Sequence, residues 1–264
     1  MPSRALHSNI SEFVVRVATM AVGAITFVSV SLAADVDELG DLVARAQFDY
    51  YAADSRSLTQ DVQAIGKLQV DDSLARTLQY QIAYGNWKLA EITRGKNSSV
   101  ARHALDSCDA AAEKGLALVP KRATLPRPDV MHAELLAIQA GCALVDGETH
   151  RAGKLAESAL VLQPSDPRIL LVNAAVAISH AKSAKDQGIA EQKIAAAVAA
   201  FDAESPLPPG TPDWGHAEAL ARLGALQLQR GNRVSARNSI ERALVLAADY
   251  VWARELLVKI TDKR

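Results

Sequence analysis

Residues 217–250 read AEALARLGALQLQRGNRVSARNSIERALVLAADY. Laid without gaps over residues 133–166, AELLAIQAGCALVDGETHRAGKLAESALVLQPSD, the stretch repeats itself: Gly231 falls on Gly147, Ala236 on Ala152, Ala243-Leu244 on Ala159-Leu160, and Leu246 on Leu162. Self-similarity across a window of 34 residues is the mark of an array of supersecondary units. In each window two apolar stretches with helical spacing meet at the glycine, where one helix ends and the chain needs a left-handed residue. Two such helices pack antiparallel only where small side chains let their backbones approach. Ala140, Ala152, Ala159, Gly224, Ala236 and Ala243 are placed for those contacts.

Composition agrees with an all-helical chain. The 264 residues include 49 Ala and 30 Leu but only 5% aromatics, which favours helix formers over the residues that strands prefer. Lys and Arg number 29 against 30 Asp and Glu, so the chain lacks the basic excess that neutralising nucleic-acid phosphates requires. Nucleic acid is therefore not an expected partner.

The repeated window resembles the tetratricopeptide repeat (TPR). Leu223-Gly224 stand in its first helix, Gly231-Asn232 at its turn, and Ala236 and Ala243 in its second helix; the earlier window carries the closing Pro164 but has Gln139-Ala140 where Leu-Gly is usual. The resemblance implies an all-α, right-handed solenoid of antiparallel helix pairs, whose inner groove is lined by first helices and binds a peptide or a partner's surface. Carried over to this chain, the groove positions are Glu134, Ala137, Gly141, Leu144 and Val145 in one unit. Arg168, Leu171, Ala175, Ile178 and Ser179 follow in the next, and Glu218, Ala221, Ala225, Leu228 and Gln229 in the last. Most are small or apolar, and the Lys/Arg/Asn set with which chaperone-binding members hold a C-terminal carboxylate is missing.

A degenerate unit lies between the two clear ones, with helices expected near Arg168–Lys182 and Gln187–Phe201. It is followed by the proline-rich loop SPLPPGTPDW, which contains Pro206, Pro208, Pro209 and Pro212 and ends in Trp214. This loop reads as a rigid connector pinned by Trp214 between units, with a ligand-contacting flap as the alternative. Upstream, Leu74–Thr93 and Ser99–Val119 are expected as a helix pair in which Gly95 ends the first helix and Ser98 or Ser99 caps the second. The spacing Val36, Leu39, Val43, Ala46, Tyr50 predicts a helix over Val36–Ala53, and Val251–Lys263 supplies a polar-sided terminal cap. About five helix pairs with an N-terminal helix are expected in all.

Tyr80, Tyr84 and Trp87 fall on one helix face, and with Phe48, Tyr50 and Tyr51 they crowd the aromatics into the first part of the chain. They read as core that replaces the Ala and Gly contacts missing there, or else as a docking face.

Residues 1–33 are expected to be a signal peptide. Arg4 and Arg16 precede the uncharged run Val17–Ala34, small Ser31 and Ala33 stand before a cut at Ala34, and acidic Asp35, Asp37 and Glu38 follow. An uncleaved membrane anchor is the alternative. A divergent helical region, 34–128, and the TPR-like repeats, 129–264, make up the rest. Export to the periplasm or beyond would permit a disulfide between Cys108 and Cys142, the chain's two cysteines; the alternative is two small buried thiols in adjacent helices.

The six histidines are scattered singly, and no HExxH, phosphate loop or nucleophile elbow occurs. The expectation is a non-catalytic exported scaffold or adaptor, without metal or cofactor, that binds a protein or peptide partner. A self-associating protein and a membrane-anchored assembly factor are the alternatives.

Overall fold

A computed structural model describes residues 37–118, 129–206 and 213–262. The signal-peptide and anchor readings of the N-terminus, the end of the divergent region at 128 and Pro208, Pro209 and Pro212 lie outside these residues. Among the described residues every regular element is a helix: α1 (37–51), α2 (Ser55–Lys67), α3 (Ala75–Thr93), α4 (Ser98–Ala117), α5 (Val130–Asp146), α6 (Thr149–Leu162), α7 (Pro167–His180), α8 (Ala184–Asp202), α9 (His216–Gln229), α10 (Arg233–Leu246) and α11 (Val251–Thr261). Consecutive helices pair as α3 with α4, α5 with α6, α7 with α8 and α9 with α10, and α11 closes the last pair. None of these helices is long and apolar enough to cross a membrane.

The repeat glycines do what their spacing predicts. Gly147 (φ 92°) ends α5 and Gly231 (φ 80°) follows α9, both left-handed. Ala140, Ala152, Ala159, Ala236 and Ala243 are buried at helix contacts. A Cβ on Gly224 would stand 2.7 Å from the Ile240 side chain, so the first helix of that repeat needs glycine to reach its second.

Three local expectations differ. A whole helix, α2, stands where no element was expected; Asp54 caps it by accepting from the amides of Arg56 and Ser57, and Leu58, Val62 and Ile65 bury one side. Asn97, not Ser98 or Ser99, caps α4 through Val100 N–H, because the hydrogen-bonding side chain must precede the first helical residue. Gly95 is not left-handed; α3 ends at Thr93, and the cap residue Arg94 keeps helical geometry instead.

One continuous core runs from Leu39 in α1 to Ile260 in α11. Cys108 on α4 and Cys142 on α5 are bonded to each other, with Cα atoms 6.7 Å apart, and clip the aromatic N-terminal helices to the repeats. The oxidised protein is expected to be lighter than the reduced protein by two hydrogens, and Cys108→Ser with Cys142→Ser to lower stability by roughly 4 kcal/mol, as a loop of this length predicts. Intact mass and urea unfolding check both.

Candidate binding site

The first helices α3, α5 and α7 pack side by side in that order, α9 packs against α8, and the expected groove positions divide according to their place along α5, α7 and α9. Glu134, Ala137, Arg168, Leu171 and Glu218, in the first half of α5, α7 and α9, are buried, none more than 5% exposed. Gly141 is also covered: a Cβ there would stand 2.4 Å from the Trp87 indole. Leu144, Val145, Ile178 and Leu228, near the C-terminal ends of the same helices, are half-buried, and Gln229 is exposed. The groove is thus closed along one half and accessible at the other.

The chain fills the closed half itself. Tyr80, Tyr84 and Trp87, the aromatic face of α3, point into the groove and meet Trp214, which enters from the α8–α9 connection. Trp214 stacks on Tyr84 with ring centroids 4.9 Å apart, stands edge-on to Trp87 at 5.5 Å, and donates its indole N–H to the Tyr80 hydroxyl at 2.7 Å. The expected pinning of Trp214 between units and the core reading of the α3 aromatics both match this packing.

Charges complete the closure. Lys88 is 0% exposed; its ammonium lies 3.9 Å from the Trp87 ring centroid and 4.7 Å from that of Tyr50, and forms an ion pair with Glu218, 130 residues away. It also reaches Glu91 at 3.5 Å, and Arg222 donates to the other oxygen of Glu91 at 2.5 Å. Burial pushes Glu91 up, but Lys88 and Arg222 outweigh it and hold this carboxyl below its ordinary range. At Glu218 burial wins and raises the carboxyl, with Lys88 opposing. Among the described residues, one oxygen of Glu218 and the hydroxyl of Tyr84 have no hydrogen-bond partner. Deeper along the groove, burial pushes Glu134 up to about 8, Asp166 adding to the shift and Arg168 opposing it. Arg168 itself is held by Glu204 at 2.6 Å.

Where α1, α3, α9 and α11 meet, a cavity of about 280 Å³ remains. Tyr50, Tyr51, Tyr250 and Trp252 wall it, and Glu91, Arg222, Ile92 and Ala53 complete its lining. Of these eight, only Tyr50 and Tyr51 carry a binding expectation from sequence, as part of the alternative aromatic docking face. The apolar spacing of α1 carried Tyr50 as a helix position, but nothing in one sequence ties it to Tyr250, whose ring is 6.2 Å away. Among the described residues no group of three or more His, Cys, Asp or Glu side chains could hold a metal.

No protein-family model matches the chain, and no curated protein matches it. Among solved structures it is similar to BtubC (BKLC) from P. vanneervenii, at 14% identity and TM-score 0.47 over 77% of this chain and 82% of that one. It is also similar to YrrB, described as a TPR protein with an unusual peptide-binding site, at 12% identity and TM-score 0.40 over 77% and 91% of the two chains. A third is Acl4, the assembly chaperone of RpL4, at 14% identity and TM-score 0.42 over 78% and 95%. The helix pairing and the internal repeat make this chain an all-α, TPR-like solenoid whose inner groove is half filled by its own α3.

Two outcomes follow from the buried charges. Lys88→Met strands Glu218 without its cation and is expected to cost about 3–5 kcal/mol in denaturant unfolding, whereas Lys88→Met with Glu218→Met recovers most of that loss. Because folding raises the Glu134 pKa, its contribution is full below about 4.5 and lost as pH rises through about 8. Glu134→Gln should therefore gain stability over the parent above pH 8, on the order of 2 kcal/mol, and lose that advantage near pH 4.5 in thermal melts.

Proposed function

We propose that this chain is an exported, non-catalytic TPR-like scaffold that binds a protein or peptide partner in the bacterial cell envelope. The observation that carries this reading is the repeat solenoid itself: parallel first helices present Leu144, Val145, Ile178, Leu228 and Gln229 at one accessible end, while the polar groups of the groove are spent on mutual pairing. A surface of half-buried apolar side chains around exposed polar ones suits a polypeptide more than a reaction. The bonded Cys108 and Cys142 support an oxidising compartment, in keeping with the expected signal segment.

The test is a pull-down with the tagged chain from the native envelope fraction, with mass spectrometry of the bait's N-terminus and of its companion. The expected result is a bait starting near Ala34 with one stoichiometric protein, and loss of that protein on Leu144→Glu with Ile178→Glu at unchanged helix content. Unaltered capture by this variant overturns the accessible end as the binding surface. A bait that elutes alone as an oligomer in light scattering replaces the scaffold with a self-associating protein. A bait that still begins at Met1 and needs detergent replaces export with membrane tethering.

A further inference from the structure

We infer that the cavity between the two ends of the solenoid is a socket for one uncharged aromatic side chain of the partner polypeptide, a site that rests on the scaffold reading above and names what it takes. Size comes first. At about 280 Å³ the cavity lies just below the range of roughly 300–1,000 Å³ that holds drug-sized ligands, so it admits one side chain and its peptide group. Ala53, Ile92 and Trp252 on its wall are half-buried, so it reaches solvent.

The walls select a ring. Tyr51 and Tyr250 have centroids 4.8 Å apart with planes tilted 52°, and Tyr250 and Trp252 stand at 6.0 Å and 61°. Rings tilted in this way present edges and faces together, and a further ring gains from both arrangements.

Charge selects a neutral occupant. An aromatic box beside a carboxylate ordinarily suits a cation. Here Glu91 already accepts from Arg222 at 2.5 Å and faces Lys88 at 3.5 Å, so an incoming cation meets a guanidinium and finds the acid taken. An incoming anion meets Glu91 in turn. The two charges in the lining balance each other, and a charged group added to them would be desolvated without a counter-ion.

Arg222 supplies the polar anchor. One of its terminal nitrogens is bonded to Glu91, its guanidinium carbon lies 5.8 Å from the Trp252 ring centroid, and its remaining N–H groups make no hydrogen bond among the described residues. Those donors suit the carbonyl oxygen of the peptide that carries the ring.

The experiment uses the full chain labelled with 5-fluorotryptophan, whose three tryptophans, Trp87, Trp214 and Trp252, report separately in fluorine NMR. The probe is N-acetyl-tyrosinamide, a neutral ring with peptide carbonyls. A saturable shift of the Trp252 signal is expected, with Kd on the order of 1 mM for a ligand this small. N-acetyl-leucinamide is expected to bind roughly fivefold more weakly, and N-acetyl-lysinamide more weakly still. Ile92→Trp, which plugs the cavity, should abolish the shift. If that variant does not fold, Arg222→Lys keeps the charge beside Glu91 but loses the fork, and should weaken tyrosinamide and leucinamide alike, since both carry the carbonyl that the fork holds, while the preference for the ring remains. No shift at Trp252, equal binding of leucinamide, or tighter binding of lysinamide overturns the socket. Failure of the socket is distinguishable from failure of the scaffold reading: a partner captured equally by Ile92→Trp and by the parent removes the socket alone, and no captured partner removes the reading on which it rests.

Discussion

Lys88 is the constraint around which the remainder of this molecule is arranged. An ammonium with no exposed surface has to be compensated, and the groups that compensate it come from its own helix and from two distant ones: Trp87 and Glu91 on α3, Tyr50 on α1, Glu218 on α9. Satisfying one cation therefore draws the N-terminal helices onto the last repeat. The second pair, Glu91 with Arg222, fixes the register, so that residues 80, 88 and 91 of α3 follow residues 214, 218 and 222 in order across the groove.

A buried ion pair is poor evidence of stability, since desolvation costs several kcal/mol per ion. The aromatic cluster around it supplies the surplus. Tyr80, Tyr84, Trp87 and Trp214 are each at most 4% exposed, and rings of this kind bury roughly 150–250 Å² apiece, worth about 4–6 kcal/mol each as an upper bound. The charges then act on specificity: an apolar plug could slide, whereas Lys88 and Arg222 find their acids in one register only. The small and large residues are complementary in the same sense. The middle of the chain, from residue 88 to 200, has no aromatic and places Gly141 where the Trp87 ring of α3 fits.

This self-filling changes what the fold can offer. The closed half of the groove is occupied by the chain's own side chains, and half-buried or exposed residues remain at the C-terminal ends of α5, α7 and α9 and around the aromatic cavity where α1, α3, α9 and α11 meet. The charged groups of the closed half are turned inward and paired with one another.

Local and periodic features were legible in the residues. The repeat of Gly147 and Gly231 announced two helix ends, and both glycines are left-handed; Gly224 and the repeated alanines announced close helix contacts, and they are buried at them. These follow from one helix and its immediate neighbour, so sequence spacing determines them. Helix α2 was missed because its three buried residues make a narrow apolar side in a polar segment. The closed half of the groove, the pairing of Lys88 with Glu218 and the Tyr50–Tyr250 contact are of another kind. They join residues more than 100 positions apart, and their existence depends on how far the stacked pairs curve before the ends meet. Curvature is a small rotation summed over every repeat, with no residue of its own to carry it. Spacing alone therefore determined the units of this solenoid, and only its tertiary structure decided that the groove would be filled from within.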